Sequence, residues 1–151
     1  MAYWIVVGSQ ENFEIARGRG FDMFGFKSTR RRESAAMQPG DKLIFYLTGV
    51  MKFGGVADVR SAVFEDRTPV FKSEKKAGED YPFRVKTAPD RILEPDQWLD
   101  VKQYAERLEM TRKRGPHWRL AFQGNLHKIS DADYETISTD VTAAARSVPA
   151  G

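Results

Sequence analysis

Residues 3–7 read Tyr-Trp-Ile-Val-Val, an uninterrupted apolar run of aromatic and β-branched side chains. Such a run predicts a buried strand at the very start of the fold. A second strong strand is predicted at residues 42–48, directly after a turn-forming Pro-Gly-Asp sequence at residues 39–41. The longest apolar run covers only residues 43–47, far short of the roughly 20 residues that a membrane-spanning helix needs. We therefore expect a soluble domain without a membrane partner.

Further elements follow from hydrophobic period, capping residues and turns. Residues 18–27 have no helical or strand period and residues 65–80 are rich in charge, so both segments predict loops. Gly54 and Gly55 lie inside a predicted strand, where glycine usually marks a bulge or the close approach of another backbone. The remaining strands are predicted at residues 51–59, 83–87 and 118–123, and the first of these is expected to form a hairpin with the strand at 42–48 through residues 48–50. Helices are predicted at about 10–17, 28–37, 95–99, 100–110 and 130–137, with Ser9 and Ser130 as caps of the first and last.

The chain has the size of one domain. Its 151 residues contain no repeat or internal linker, and the absence of cysteine excludes a disulfide scaffold, a thiolate zinc site and a cysteine nucleophile. No basic region precedes the first apolar run, so we do not expect a secretory signal. We expect a cytoplasmic location. Five strands with short intervening helices predict an α+β fold around a small, strongly curved sheet or barrel. The small, polar residues 139–151 predict a disordered tail.

Positive charge is concentrated in two windows, residues 17–32 and 102–119. Each window holds six basic side chains, and together they carry a net charge of +9, which leaves −6 for the rest of a chain whose net charge is +3. Each window alone is equally well explained as a solvated face, but the pair favours a polyanionic partner such as nucleic acid. The candidate contacts to a nucleic-acid backbone are Arg17, Arg19, Arg30, Arg31, Arg32, Arg112, Lys113 and Arg114.

No arrangement of residues predicts catalysis. Ser9 lacks the flanking glycines of a nucleophile elbow, and Phe26 interrupts what would otherwise approach a phosphate-binding loop before Lys27. His117 and His127 are ten residues apart on either side of a predicted strand, which favours surface or hydrogen-bonding roles over metal ligation. We therefore predict no enzyme activity, no metal and no cofactor.

Four aromatic residues fall in segments without helical or strand period. Aromatic rings in such segments either plug one end of a sheet or form a surface on which an extruded nucleobase stacks, and both readings stay open. Lys27 and the three arginines at 30–32 place phosphate-binding groups within a dozen residues of three of the rings. The four are Phe21, Phe24, Phe26 and Tyr81.

The order and spacing of several motifs resemble those of the EVE domain family. The motifs are the opening strand at residues 3–9, the Gly20-Phe21 to Gly25-Phe26-Lys27 segment, the turn and strand at 37–46, the segments 53–59 and 81–85, and Trp118 to Phe122 with Gly124 and Ile129. The resemblance covers residues 2–138. It implies a domain of the PUA-like superfamily, similar to YTH domains: a curved β-barrel of about five to six strands flanked by short helices, with a pocket that admits a flipped, often modified, base.

Applied to this chain, the resemblance implies a base pocket lined both by polar groups and by aromatic rings. Ser9 and Asn12 would bind the edge of the base, and Tyr81 stands near the position of a cage tryptophan in related readers. The chain has Phe or Tyr where several relatives have Trp or His, and since Trp is the strongest cage residue, the identity of any modification stays open. The remaining candidates come from the segment before the second helix and are Phe21, Phe24, Phe26 and Lys27.

The sequence therefore predicts a non-catalytic module that binds RNA or DNA, with a plain or modified base in an aromatic pocket. Two alternatives remain at this stage. One is a hydrolase acting on nucleotides or modified bases, with Lys27 paired to Glu33 or Asp22. The other is a module in which the loop aromatics contact a small ligand or a protein.

Overall fold

The computed structural model describes residues 1–73 and 76–146. Its strands are β1 (Tyr3–Gly8), β2 (Met23–Phe26), β3 (Lys42–Leu47), β4 (Lys52–Val59), β5 (Phe64–Glu65), β6 (Phe83–Ile92), β7 (Leu99–Asp100) and β8 (Leu126–Ile129). Its α-helices are α1 (Gln10–Gly18), α2 (Arg31–Ser34), α3 (Glu109–Arg112) and α4 (Asp131–Ala145). Short 3₁₀ helices cover Ser28–Arg30, Pro95–Gln97, Val101–Tyr104 and Gly115–Phe122.

Six of the strands form one curled mixed sheet, a half-barrel whose order is β2-β6-β4-β3-β1-β8. The two-residue strands β5 and β7 pair with β6 and β4 outside this path. The pairing of β1 with β3 is parallel, and the neighbouring pairs in the order are antiparallel. The predicted α+β class and curved sheet with short helices are thus confirmed.

The apolar run at the amino terminus is buried on both sides of the sheet. Trp4 and Val6 of β1 pack with the rings from α1 and β2 on one face, whereas Ile5 and Val7 pack with α4 and the 3₁₀ helices on the other. A strand covered on both faces has no solvent side to alternate toward. This double coverage explains why the sequence of β1 is continuously apolar.

A buried carboxylate fastens the start of β1 to the start of β3. Asp41 ends the predicted turn and is only 2% exposed. It accepts hydrogen bonds from the Ala2 amide at 2.9 Å, the Trp4 indole at 3.0 Å and the Gln38 amide at 2.9 Å. The turn residues therefore also set where the first strand enters the sheet.

The predicted hairpin between β3 and β4 is present, and the glycines of β4 lie at its irregularities. The register shifts after Phe45, opposite Gly54 and Gly55. A Cβ added to Gly54 would lie 2.9 Å from the Phe13 ring, and one added to Gly55 would lie 2.5 Å from the carbonyl oxygen of Arg91. The prediction of a bulge with close approach is confirmed.

The prediction of a loop over residues 18–27 is wrong for its second half. Residues 23–26 form β2, which pairs with β6 and has all four residues buried. A short strand that is buried on both faces carries no alternation by which period could be recognised. As a result, two of the four aromatic residues assigned to loops, Phe24 and Phe26, lie in a strand of the sheet.

The strand predicted at residues 118–123 is also wrong. Most of these residues belong to the 3₁₀ helix Gly115–Phe122, in which Trp118, Ala121 and Phe122 are buried. Their spacing of three and four residues follows a helical period, and Pro116 sits in the first turn, where its missing amide proton costs nothing. The strand of this region is β8, four residues further on.

The helices differ in length from the predictions. The helix predicted at 28–37 is only a 3₁₀ turn followed by α2, and residues 101–104 and 109–112 hold two short helices in place of one at 100–110. The last helix, α4, continues to Ala145, so the prediction of disorder is wrong for residues 139–145, and residues 147–151 lie outside the described part. Within residues 1–73 and 76–146, no helix is long and apolar enough to cross a membrane.

Replacing Gly55 by alanine should lower the free energy of unfolding by at least about 2 kcal/mol, because φ is +149° and the new Cβ meets the backbone of β6. Gly18→Ala is the matched control, since its Cβ would enter open space at the end of α1 and should change stability by less than about 1 kcal/mol. Urea denaturation of both variants measures the difference. Equal stabilities would contradict the close approach of β4 and β6.

Candidate functional site

An open cavity of about 560 Å³ lies where the first strand ends. Its wall combines the end of β1, the β3–β4 turn, the segment after β2, the segment before β6 and the segment before β8. No Asp or Glu is among the described residues that line it. The lining residues are Val7, Gly8, Ser9, Lys27, Thr48, Lys72, Ser73, Tyr81, Phe122, Gln123 and Gly124.

Asn125 joins two segments of the cavity wall. The side chain is 1% exposed; its Nδ2 donates to the carbonyl of Val7 at 2.9 Å, and its Oδ1 accepts from the Lys27 amide at 2.9 Å. The amide of Val7 also donates to the backbone carbonyl of Asn125 at 2.7 Å. Because the partners are backbone groups, this amide side chain fixes the path of both segments and leaves the side chain of Lys27 free to face the cavity.

Glu79 joins the other side of the wall. Its carboxylate accepts from the Ser28 amide and hydroxyl at 2.9–3.1 Å and from the Tyr81 amide at 3.1 Å. Tyr81 has φ +49°, a left-handed backbone conformation that non-glycine residues seldom adopt. The bond to Glu79 holds the strained residue in place beside the segment that follows β2.

Arg84 on β6 holds the long loop in front of that strand. The side chain is 1% exposed, and its guanidinium donates to the backbone carbonyls of Tyr81 at 3.0 Å, Asp80 at 3.1 Å and Thr68. The charge of Asp66 lies 3.6 Å away. A buried guanidinium is stable only when its donors are satisfied, and here loop carbonyls satisfy them.

Asn12 binds the same loop from the opposite side. Its Nδ2 donates to the carbonyl of Lys72 at 2.8 Å, and its Oδ1 accepts from the Lys72 amide at 2.9 Å. Ser9 caps α1 as predicted, since its hydroxyl oxygen accepts from the Asn12 amide at 3.1 Å. The first turn of α1 thus positions residues 72 and 73 at the cavity.

Two aromatic rings contribute to the wall. Burial raises the pKa of the Tyr81 phenol, while hydrogen bonds with Ser73 and Asn12 act in the opposite direction, so the hydroxyl stays neutral at physiological pH. Phe122 stacks on Tyr46 with ring centroids 4.6 Å apart. Both rings are held by neighbours, so the aromatic part of the wall is rigid.

Three of the seven predicted base-pocket residues line the cavity: Ser9, Lys27 and Tyr81. Asn12 supports the wall from behind, with both side-chain polar atoms bonded to the backbone. The other three, Phe21, Phe24 and Phe26, are at most 4% exposed and belong to the core. They do not line the cavity, so of the two readings of these rings the structure supports a plug.

Close packing explains the burial of these rings. The centroid of Phe24 lies 5.1 Å from that of Phe45 and 5.0 Å from that of Phe71, and Phe21 lies 5.2 Å from Phe13. A Cβ at Gly25 would lie 2.9 Å from both the Phe71 ring and the carbonyl of Tyr81. The loop before β6 therefore covers β2 directly, and a stacking base has no room there.

The side chains predicted to contact a nucleic-acid backbone fall into two groups. Some form ion pairs within the protein, and others do not. Arg17 pairs with Glu14 and Glu94, and Arg19 pairs with Asp22, all at 3.2–3.3 Å. Arg112 lines a second open cavity of about 570 Å³ beside Trp118 rather than the first. Within the described residues, no ion pair engages the exposed side chains of Arg31, Arg32, Lys113 or Arg114, and the remaining candidate, Arg30, pairs with Glu33 at 3.6 Å.

Sequence reasoning missed eight lining residues, which are Val7, Gly8, Thr48, Lys72, Ser73 and the stretch from Phe122 to Gly124. Phe122 was assigned to the core of a strand, and nothing in a charged loop indicates which of its residues meets another loop. The turn-forming glycine beside Thr48 and the isolated Gly124 were the available signals, and both indicate only a turn. Among residues 1–73 and 76–146, no three His, Asp or Glu side chains are grouped as metal ligands.

The chain is similar in sequence and in fold to several known proteins. A family model described as EVE domain matches residues 2–139. A UPF0310 protein of Pyrococcus horikoshii is 26% identical over 147 residues, covering 91% of this chain and 97% of the relative. A UPF0310 protein of Pyrococcus abyssi is 26% identical over 148 residues, covering 92% and 99%.

Solved structures extend the similarity in fold. A hypothetical protein from Leishmania major has a TM-score of 0.66 at 16% identity, covering 97% of this chain and 98% of its own. The Mmi1 YTH domain, in a crystal structure of its complex with RNA, has a TM-score of 0.60 at 12% identity, covering 95% of this chain and 79% of its own. The fold is thus of the EVE and YTH type, which is compatible with nucleic-acid binding.

Replacing Asn12 by alanine should lower the free energy of unfolding by about 1–3 kcal/mol, because it leaves the backbone of Lys72 without both partners. Amide hydrogen exchange should quicken in residues 70–73 and 76–81 more than in β1. Gln10→Ala, an exposed change in the same turn of α1, is the control. Unchanged exchange in this loop would contradict the role of Asn12 as its anchor.

Proposed function

The chain belongs to the EVE domain family, and on that premise we propose that it is a nucleic-acid-binding module without catalytic activity. The base of one nucleotide enters the cavity at the end of β1, while basic side chains at the rim contact the phosphate backbone. The observation that carries the proposal is the composition of the cavity wall. It combines the rigid rings of Tyr81 and Phe122, the hydroxyls of Ser9 and Thr48, and cationic Lys27.

The size and chemistry of the cavity suit a flipped base. Ligand sites typically have volumes of about 300–1,000 Å³, with mostly apolar walls and a few placed polar groups, and this cavity has about 560 Å³. The hydroxyl oxygen of Ser9 accepts the cap hydrogen bond, so its proton is available to donate to the edge of a base. Stacking on an aromatic ring contributes about 1–3 kcal/mol per base.

The similarity to a known complex supports the same partner. The structure of the Mmi1 YTH domain, whose fold resembles that of this chain, contains RNA. Extruding a base costs a few kcal/mol from a duplex and less from a single strand. Single-stranded RNA is therefore the first ligand to test, followed by DNA and by strands that carry modified bases.

The positions of the Asp22 and Glu33 carboxylates weigh against the hydrolase alternative. It requires Lys27 to work with Glu33 or Asp22, but Asp22 pairs with Arg19 and Glu33 with Arg30. Neither lines the cavity, and general acid–base catalysis needs a proton-transfer group within reach of the substrate. For the other alternative, the packing of Phe21, Phe24 and Phe26 into the core removes these three rings from any contact with a protein or small ligand.

Thr48→Trp, which places a bulky ring in the cavity, should weaken binding of single-stranded RNA by about 5- to 100-fold, the equivalent of one lost stacking contact. Thr139→Trp on the exposed side of α4 is the matched control and should bind as the unchanged protein does. Fluorescence anisotropy measures both, with plain and base-modified RNA and DNA strands of one sequence at two salt concentrations.

Two results would count against the proposal. Equal affinities of the two tryptophan variants would mean that nucleic acid binds without using the cavity. If the unchanged protein binds none of these strands with micromolar or tighter affinity at the lower salt concentration, the nucleic-acid function itself is refuted.

A further inference from the structure

We propose that the phosphate next to the bound base lies at the Gly124 edge of the cavity, between Arg30 and Arg114, and that His127 takes up a proton when the phosphate arrives. This inference rests on the proposed function, because it assigns the partner of one edge of the same cavity. It also adds a property that the cavity alone does not imply, which is a dependence of binding on pH.

The guanidinium of Arg30 lies beside Gly124, one of the residues that line the cavity. Gly124 lines the cavity and has φ +85°. A Cβ added to it would lie 2.8 Å from Nη2 of Arg30 and 3.8 Å from Cε1 of His127. The guanidinium and the imidazole therefore lie on the side of Gly124 that a side chain would occupy. A larger residue at position 124 would push the guanidinium away from this edge.

The charges at this edge are unbalanced. The charges that act on the imidazole of His127 are those of Arg30, from the segment before α2, and Arg114, from the segment before the 3₁₀ helix Gly115–Phe122. Glu33 on α2 lies 3.6 Å from Nη1 of Arg30, and the described residues offer no ion-pair partner to Arg114. Two cations from distant parts of the chain, of which only Arg30 has a carboxylate partner among residues 1–73 and 76–146, leave a positive field that an anion would neutralise.

Buried polar atoms of Arg30, Glu33 and His127 make no hydrogen bonds within the described part of the chain. Among the described residues, Nε of Arg30, Oε2 of Glu33 and Nε2 of His127 are buried without a partner. Buried polar atoms without partners are rare in folded proteins and each costs free energy. Arg30 and His127 flank Gly124, and Glu33 pairs with Arg30, so the three atoms indicate a group of side chains that rearranges its bonds when a ligand is present.

The protonation of His127 links this edge to pH. Burial lowers the pKa of the imidazole below its ordinary value of about 6.5, and the charges of Arg30 and Arg114 lower it further, while a hydrogen bond with the Gln123 backbone acts in the opposite direction. The imidazole is therefore neutral at pH 7 in the free protein. A phosphate between the arginines would offset their field and raise the pKa, because a nearby negative charge favours the protonated form.

The sign of the pH dependence follows from this shift. Since the phosphate-bound form has the higher pKa, it holds more protons than the free form at any pH between the two values. Affinity for a phosphate-bearing ligand should then rise as pH falls through the pKa of the bound form, and level off below the pKa of the free form. The effect should be absent when position 127 cannot titrate, as in His127→Asn.

The first experiment compares single arginine substitutions. Arg30→Ala should weaken binding of single-stranded RNA about tenfold or more, as loss of a charge-assisted contact does, and Arg114→Ala should weaken it to a smaller extent. Arg91→Ala removes an equal charge from an exposed position on β6 and should change the affinity by less than about threefold, as expected for a charge that only contributes to the general field. Equal losses for Arg30→Ala and Arg91→Ala would overturn the proposal.

The second experiment uses inorganic phosphate, so that it does not depend on base binding. The chain has two histidines, and His117 is exposed, which makes it an internal reference in an NMR titration of the imidazole signals. Phosphate should raise the pKa of His127 and not that of His117, and Arg30→Ala should abolish the shift. A His127 pKa that is indifferent to phosphate, with RNA binding intact, overturns the phosphate site and leaves the proposed function standing.

The opposite pattern separates the two proposals as well. If phosphate shifts the pKa of His127 but no RNA or DNA strand binds, the anion site is supported and the nucleic-acid function fails. A His127→Asn variant whose RNA affinity keeps the pH dependence of the unchanged protein would refute the assignment of the proton to His127. His117→Asn is the control for this variant.

Discussion

The fold depends on one constraint: β1 must be kept from water on both faces. Trp4 and Val6 require one apolar layer and Ile5 and Val7 another, so the sheet needs cover from α1 and β2 on one side and from α4 and the 3₁₀ helices on the other. The strand ends at Gly8, and the apolar pattern stops there. The cavity lies at this point, and its wall includes Tyr81 from one apolar layer and Phe122 from the other.

Side chains that bond to backbone groups build the cavity wall. Asn12, Glu79, Arg84 and Asn125 are all at most 9% exposed, and each of them uses its polar atoms to hold main-chain amides or carbonyls of a neighbouring segment. Segments without regular secondary structure need such partners, because no neighbouring strand or helical turn satisfies their main-chain amides and carbonyls. The same bonds that stabilise these segments give the site its shape.

Local signals in the sequence predicted local features well. The cap at Ser9, the turn before β3, the β3–β4 hairpin and the bulge at Gly54 follow from short-range chemistry and are present. Elements decided by their surroundings were missed. The strand β2 is buried on both faces and has no period, and Gly115–Phe122 is apolar enough to pass for a strand although it is helical.

The residues of the candidate site were also predicted only in part. Ser9, Lys27 and Tyr81 line the cavity and were predicted through the resemblance to EVE domains. Phe21, Phe24 and Phe26 were expected there on the mistaken premise that their segment is a loop. Phe122 and Gly124 were missed as members of the wall because their approach to β1 depends on the long-range bonds of Asn125.

Apart from the hydrogen bonds that Asn12 and Ser73 form with the phenol of Tyr81, the supports of the cavity bind main-chain groups and not the lining side chains. Positions such as 48, 72 and 123 are therefore free to vary without unfolding the domain. Single substitutions at these positions could change which ligand the cavity binds while the supporting hydrogen bonds stay intact. The ligand preference of the domain can therefore evolve without a change of fold.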